Sequence, residues 1–184
     1  FKSSSNQVPR EFTEGERGEE FELKLGLKLL ADVGLVGLPN AGKSTLLSIL
    51  TKARPKIADY EFTTLEPNLG VFEYKGKSLV VADIPGLIEG ASKGKGLGVQ
   101  FLKHVERTRV LVHVVGVGFP GYEPGKGWGV VRKEMEEFGE GLAEKPEIVV
   151  LNKIDLVDEK EVKKIMKEFA KKGVEVLPIS CGTL

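Results

Sequence analysis

The chain has 184 residues, of which 41% are hydrophobic and 29% are charged, a composition typical of one packed core and not of disorder. Basic and acidic residues number 27 each, so the net charge indicates neither a nucleic-acid surface nor a membrane surface. The single cysteine, Cys181, has no disulfide partner in the chain, and no apolar run approaches the roughly 20 residues of a membrane span, which together predict a reducing, cytoplasmic setting.

Residues 21–29 alternate between apolar and mostly polar side chains. A period of two predicts a half-buried strand, whose apolar face needs a partner. We therefore expect residues 1–30 to be the tail of another β unit and residues 31–184 to form the main domain.

From Ala31 onward, short apolar runs alternate with helical or loop stretches. This rhythm predicts an α/β fold with a mostly parallel, six-stranded sheet flanked by helices. The predicted strands are 33–38, 69–74, 78–82, 110–115, 147–151 and 174–179. Lys75-Gly76-Lys77 joins two of them closely enough for an antiparallel hairpin, so the sheet should be mixed. Helices are expected after Gly42, Gly98 and Asp158, and around 130–142.

A phosphate-binding motif follows the first of these strands. Gly37-Leu38-Pro39-Asn40-Ala41-Gly42-Lys43-Ser44 fits G-x-x-x-x-G-K-[ST], and a helix-like segment begins at Thr45, which is the context that this motif requires. The glycines let backbone N–H groups converge on phosphate oxygens, and the helix N-terminus adds a favourable dipole. Lys43 is expected to bridge the β- and γ-phosphates and Ser44 to ligate Mg²⁺. The alternative is a glycine turn with a surface lysine.

Two further segments predict contacts with magnesium and phosphate. Asp83-Ile84-Pro85-Gly86 follows an apolar run, which places the carboxylate at the carboxyl end of a strand, where ligands sit in open α/β sheets. Asp83 is expected to hold Mg²⁺ through water, and the Gly86 amide to sense the γ-phosphate. Phe62-Thr63-Thr64 precedes the hairpin, where a threonine hydroxyl can reach the metal; alternatively, the two threonines are ordinary strand or loop residues.

A base-binding tetrad, Asn152-Lys153-Ile154-Asp155, follows the strand predicted at 147–151. Guanine presents two adjacent N–H donors, and a carboxylate only accepts, so Asp155 can bind both at once. Asn152 is expected to tie this loop to the phosphate loop, and the stem of Lys153 to lie over the base. Ser180-Cys181-Gly182 comes after the last strand, where the Cys181 amide can meet the guanine O6 or the stretch can be a plain strand end.

Residues 31–45, 62–70 and 83–98, which contain these motifs, closely resemble the Obg family of GTPases. The resemblance implies a magnesium-dependent switch that hydrolyses GTP slowly during assembly of the large ribosomal subunit and in stress control. The resemblance selects Thr64 over Thr63 as the metal ligand. It also implies that Lys43, Thr64 and Gly86 are the catalytic groups. It further implies an N-terminal Obg-type β domain ending near residue 30, and a G domain whose closing C-terminal helix is missing from this chain. We expect a monomer, although the sequence does not determine the oligomeric state.

The chain departs from related enzymes at several positions. Leu87 replaces the glutamine that orients water in Ras-like GTPases, which predicts slow turnover. Asn40 matches an asparagine that helps hold K⁺ in some relatives, so potassium dependence is a hypothesis. Gly116 stands where the family usually has aspartate, and it begins a glycine-rich stretch whose glycines disfavour the helix predicted at 130–142.

Two other functions stay open from the sequence. One is a nucleotide-sensing module with negligible turnover, which Leu87 favours, and the other is a P-loop kinase for a small molecule, which the Asn-Lys-x-Asp tetrad disfavours. His104 and His113 lack the carboxylate or second histidine that a catalytic or zinc site would require, so both are expected to be structural.

Overall fold

The computed structural model describes residues 5, 7–8, 14–22, 31–51, 56–57, 68–84, 97–119, 121–139 and 141–183. Most of the strand predicted at 21–29 lies outside these residues, as do the threonine segment at 62–64 and the stretch from Pro85 to Lys95. The division into two domains at residue 30 therefore stays a prediction.

A mixed sheet of seven strands in the order β2-β3-β4-β1-β5-β6-β7 organises the described residues. Strand β1 is central and pairs in parallel with β4 and β5, and the parallel arrangement continues to β6 and β7, whereas β2, β3 and β4 are antiparallel. The bounds are β1 Ala31–Val36, β2 Lys56–Ile57, β3 Asn68–Tyr74, β4 Lys77–Asp83, β5 Thr108–Gly116, β6 Glu147–Asn152 and β7 Val176–Pro178. All six predicted strands form; β2, with two residues, is too short to show a period.

The predicted hairpin joins β3 and β4. Tyr74 pairs with Lys77, and the two residues between them, Lys75 and Gly76, have φ of 49° and 74°. Two consecutive positive φ values are the mark of the tight hairpin turn whose twist matches that of the strands. Gly76 favours this turn because it has no Cβ to oppose the left-handed conformation.

In the described part of the chain, four α-helices flank the sheet. They are α1 Lys43–Leu50, α2 Leu97–Glu106, α3 Pro124–Phe138 and α4 Glu159–Lys171. Asp158 caps α4, since its Oδ1 accepts a hydrogen bond of 2.7 Å from the Glu161 N–H, as expected of aspartate at this position. No helix in the described part of the chain is both long and apolar enough to cross a bilayer.

Helix α3 differs from its prediction at 130–142. It begins at Pro124, whose missing N–H costs nothing in the first turn, and it ends before Gly139, which has φ 78°. Gly127 within it is buried, and a Cβ there would lie 2.1 Å from Tyr122 Oη. Gly127 therefore leaves room for Tyr122 to pack against α3, although glycine has a low helix propensity.

Alternate residues of β5 pack on opposite faces of the sheet, as the period of a strand requires. Val114 belongs to the cluster beneath α1 with Leu35 and Leu47, whereas Leu111 belongs to the cluster on the other face with Leu102 and Met135. Helix α4 packs next to the second cluster; its buried residues Ile165 and Phe169 contact strands β5 to β7 through Val115, Val149, Leu151 and Val176.

The carboxyl ends of the central parallel strands meet at one edge of the sheet. The register pairs Leu35 with Asp83 and Gly116 with Asn152. The phosphate loop, the Asp83 carboxylate, the loop after β5 and the Asn152 tetrad therefore begin side by side, at the edge where open α/β sheets bind ligands.

Candidate functional site

The phosphate loop turns sharply between β1 and α1. Gly37 has φ 144° and Gly42 has φ 98°, and a Cβ at these positions would lie 2.3 Å from Val114 O and 2.2 Å from Asn152 Nδ2. Both glycines are therefore required by conformation and by space. Asn40 also has a positive φ, 61°, which asparagine tolerates better than most residues.

Lys43, the first residue of α1, carries a buried ammonium group. Its side chain curls back so that Nζ donates to Gly37 O at 3.1 Å and to Leu38 O at 3.2 Å. Burial lowers the pKa of Lys43, and the Asp83 carboxylate partly opposes this effect. A cation held among loop carbonyls beside converging amides is suited to meet an anionic ligand.

Ser44 and Asp83 meet at the end of β4. The Ser44 hydroxyl donates to Asp83 Oδ2 at 2.5 Å, while the buried Oδ1 has no hydrogen-bond partner among the described residues. A hydroxyl beside a carboxylate with an unused oxygen fits the oxygen ligands that Mg²⁺ prefers. The described residues contain no group of three His, Cys, Asp or Glu side chains that could bind a metal.

Several predicted site residues cannot be placed, because they lie outside the described residues: Phe62, Thr63, Thr64, Pro85 and Gly86. Leu87 is outside them too. Ile84 is described, and its side chain is fully buried in the core, while its N–H donates to Leu35 O at 3.2 Å. The side chain of Ile84 therefore holds the strand end in place and does not face the site.

Asn152 joins the two halves of the site. Its Nδ2 donates to Ala41 O in the phosphate loop at 3.0 Å, and its Oδ1 accepts from the Cys181 N–H at 3.2 Å. The side chain is 1% exposed, so water cannot replace either bond. The link between tetrad and phosphate loop that the sequence predicted is thus present, and it extends to the loop after β7.

The remaining base-loop residues lie around Asp155, which is exposed. Ser180 Oγ donates to Asp155 Oδ1 at 2.5 Å, and a Cβ on Gly182 would lie 3.5 Å from the other carboxylate oxygen. The hydroxyl of Ser180 therefore orients the carboxylate, and Gly182 leaves space next to it. Lys153 holds the backbone turn before Asp155 with a φ of 67°.

The contact predicted between the Cys181 N–H and a guanine base stays a prediction. This N–H, expected to meet the guanine O6, donates to Asn152 in this structure, so a base would have to share that donor. Burial raises the pKa of the Cys181 thiol, which keeps the sulfur protonated and unreactive.

Two cavities flank the phosphate loop. One, of about 440 Å³, is lined by Asn40, Gly42, Lys43, Ser44, Thr45, Phe119 and Lys153. The other, of about 230 Å³, is lined by Leu38, Pro39, Asn40, Ala41, Gly116, Phe119 and Tyr122. The first brings together residues predicted for phosphate and base binding, and Phe119 belongs to both cavities. No sequence motif identifies Phe119 as a site residue, although its position after β5, at the ligand edge of the sheet, is a usable signal.

The expectation that His113 lacks a carboxylate is wrong. Its buried ring nitrogen Nδ1 lies 2.7 Å from Glu147 Oε1, and Glu147 also accepts from Trp128 at 3.2 Å and from Arg132 at 3.1 Å. His113 lies in β5 beneath α3, on the face of Leu111 and away from α1, so the pair braces the helix against the sheet. The two residues are 34 positions apart in the sequence, so the sequence does not indicate that they form a pair.

Comparison with known proteins agrees with this geometry. A family model described as 50S ribosome-binding GTPase matches residues 32–153. A protein named GTPase Obg from Pelagibacter ubique (strain HTCC1062) is 54% identical over 181 residues, covering 98% of this chain and 55% of that protein. A GTPase Obg from Finegoldia magna is 55% identical over 184 residues, covering 100% and 44%. The chain thus spans about half the length of the curated relatives it matches.

Solved structures share the fold. The structure of Aquifex aeolicus Era bound to GDP.AlF4- is 27% identical with a TM-score of 0.59, covering 84% of this chain and 52% of that one. The cytosolic domain of the T. maritima FeoB iron transporter in a GDP form has a TM-score of 0.62 at 24% identity, covering 84% and 58%. The predicted P-loop fold and the resemblance to Obg GTPases are both confirmed.

Proposed function

Because the chain belongs to the 50S ribosome-binding GTPase family and matches Obg GTPases along its whole length, we propose that it binds GTP with Mg²⁺ and hydrolyses it slowly to GDP and phosphate. The observation that carries this proposal is the 3.0 Å hydrogen bond from Asn152 to Ala41 O. A phosphate loop alone accepts many nucleoside phosphates, and a tetrad held against it by a buried amide restricts the base to guanine.

The phosphates are bound by the loop from Gly37 to Thr45. Its two required glycines expose backbone amides, and the Lys43 ammonium, which is bonded to Gly37 O and Leu38 O, would turn toward an incoming β- or γ-phosphate. Replacing neutral carbonyl partners by a doubly charged phosphate strengthens the hydrogen bonds of a buried cation. Lys43 therefore contributes most where negative charge accumulates during transfer.

Ser44 and Asp83 would hold Mg²⁺, together with Thr64 as the proposed third protein contact. The bound ion would neutralise charge on the β- and γ-phosphate oxygens. The unpartnered Oδ1 of Asp83 is the structural feature that favours this assignment, because a buried carboxylate oxygen without a partner is costly.

The base is read by Asp155. A carboxylate oriented by the Ser180 hydroxyl accepts the two donors of guanine, whereas adenine offers no such pair. The stem of Lys153 packs against the plane of the base.

Turnover is proposed to be slow. Leu87 has no polar group with which to orient the attacking water, as glutamine does in Ras-like GTPases. That role falls to a backbone amide such as that of Gly86, to a partner, or to K⁺ near Asn40. In the whole protein, we propose a cytoplasmic switch that contacts the large ribosomal subunit in assembly and stress control, with residues 1–30 ending an N-terminal β domain.

Single-turnover hydrolysis of γ-labelled GTP tests the proposal. We expect slow phosphate release by the chain with Mg²⁺, none by Lys43→Ala, and an increase with K⁺ or large ribosomal subunits. No release under any of these conditions, with GTP still bound, would establish a nucleotide-sensing module instead. Tighter binding of ATP than of GTP would favour a small-molecule kinase.

A further inference from the structure

The ammonium group of Lys153 lies over an aromatic ring. Its Nζ is 4.5 Å from the centroid of Phe119, within the range of a cation–π contact. The Lys153 side chain forms no hydrogen bond and no ion pair with any other described residue, so among these residues the Phe119 ring is the group that holds its charged end. Both side chains line the cavity of about 440 Å³ beside the phosphate loop.

The loop after β5 is built to present this ring. Gly118 has φ 84°, and a Cβ there would lie 2.6 Å from Leu156 Cβ, in the turn that follows Lys153. Val117 N–H donates to Asn152 O at 3.1 Å. The Phe119 ring also meets Tyr122 edge to face, with centroids 6.0 Å apart. The ring is thus fixed to the base tetrad by backbone and by packing.

Gly116 provides the space for Phe119. A Cβ at Gly116 would lie 3.1 Å from Phe119 Cε2 and 3.3 Å from Ala41 Cα, and a longer side chain would occupy the place of the ring. The position of the Phe119 ring therefore depends on the glycine three residues earlier, at the end of β5.

We propose that Phe119 is a positioning residue for the base site: its ring face holds the Lys153 ammonium so that the aliphatic stem of Lys153 lies ready to stack on guanine. This inference rests on the proposed function. A free lysine side chain has many rotamers, and in most of them its aliphatic stem would not stack on the base. The ring reduces that freedom before the nucleotide arrives, which is preorganisation and favours affinity.

The test compares GDP affinity, measured with fluorescent GDP, among variants of the full chain. Phe119→Leu removes the ring face and keeps an apolar side chain, and should weaken binding by about threefold to thirtyfold, the range of a cation–π contact. Phe119→Tyr and Phe119→Trp keep a ring face and should bind nearly as the unchanged chain does. Tyr74→Leu is the matched control, since it removes another exposed aromatic–lysine pair, with Lys75 at 5.1 Å, on the hairpin away from the site.

A double-mutant cycle with Lys153→Met separates positioning from general packing. If Phe119 acts through Lys153, Phe119→Leu adds little to the loss caused by Lys153→Met. Two results would overturn the inference: an equal loss of GDP affinity in the Phe119→Leu and Phe119→Trp variants, or a loss from Phe119→Leu that is just as large in the Lys153→Met background. Neither result would contradict the proposed binding of GTP. Should Phe119→Leu not fold, as judged by urea unfolding, Phe119→Met replaces it in the cycle. Failure of the unchanged chain to bind GDP would overturn the proposed function as well.

Discussion

Asn152 and Ala41 are 111 residues apart in the chain, yet the Asn152 side-chain amide donates to the Ala41 carbonyl at 3.0 Å, in the buried interior of the site. The same side chain accepts from Cys181 N–H at 3.2 Å. One residue therefore holds the phosphate loop, the base tetrad and the loop after β7 together.

Asn152→Ala should destabilise the fold and weaken GDP binding. It leaves a buried acceptor and a buried donor unpaired, at about 1–3 kcal/mol for each. Urea unfolding and GDP affinity measure both effects. Asn152→Asp retains the acceptor for Cys181, but it loses the donor to Ala41 and buries a carboxylate beside the Ala41 carbonyl, so its loss should also be large. Stability unchanged in both variants would contradict the structure.

Asp155→Asn should change the preferred base from guanine to xanthine. An amide offers a donor where the carboxylate only accepts, and xanthine has a carbonyl where guanine has its amino group. Competition of XDP and GDP against fluorescent GDP measures the change. Asp158→Asn is the matched control, because it lies three residues along and asparagine caps α4 as well as aspartate does. Unaltered GDP affinity in the Asp155 variant would show that the base binds elsewhere.

Ser44→Ala should raise the Mg²⁺ concentration needed for tight nucleotide binding. It removes the hydroxyl that meets Asp83 at the proposed metal site, and the remaining oxygen ligands bind a hard cation less well. Nucleotide dissociation rates across a magnesium titration give the comparison. Ser48→Ala is the control in the same helix, since its hydroxyl bonds only to Thr45 O, at 2.7 Å; equal magnesium curves for the two variants would reject the assignment.

Stability should fall as the pH drops below about 6.5, the ordinary pKa of histidine. Burial lowers the pKa of His113, although the hydrogen bond and charge of Glu147 act in the opposite direction. The unfolded chain then takes up a proton that the folded chain resists, so protonation favours unfolding. Urea midpoints at pH 7.5 and 5.5 measure the loss, and His113→Gln should make it smaller. His104, whose pKa is also lowered by burial and by Arg107, contributes its own share, which His104→Gln measures.

Gly129→Ala should stabilise the chain by roughly 0.5–1 kcal/mol, the usual gain from removing glycine within a helix. A Cβ at Gly129 would meet no atom within 4 Å. Gly127→Ala is the contrasting variant two residues away, because its Cβ would lie 2.1 Å from Tyr122 Oη, and overpacking costs about 1–3 kcal/mol. Thermal or urea unfolding ranks the two; equal gains would show that Tyr122 moves aside freely.

Local sequence patterns determined the turns, helix starts and strands of this protein. The positive φ of Gly37 and Gly42, the alternation in β5 and the Asp158 cap are local features, and a motif such as 37–44 specifies its own turn and helix start. The order of strands then follows from connecting short parallel units. The start of α3 was misjudged because glycines at 125, 127 and 129 weaken the helical signal, while Pro124 and the packing of Tyr122 favour helix.

Tertiary structure alone decided which distant groups meet. Nothing in the sequence around His113 points to Glu147, 34 residues away, and nothing around Lys153 points to Phe119 or to the space left by Gly116. The hydrogen bond between the Cys181 N–H and Asn152 also joins groups that are distant in the sequence. Sequence determines which groups stand at the end of each strand; the register of the sheet determines which of those ends lie within hydrogen-bonding distance, because chain separation is unrelated to distance across a parallel sheet.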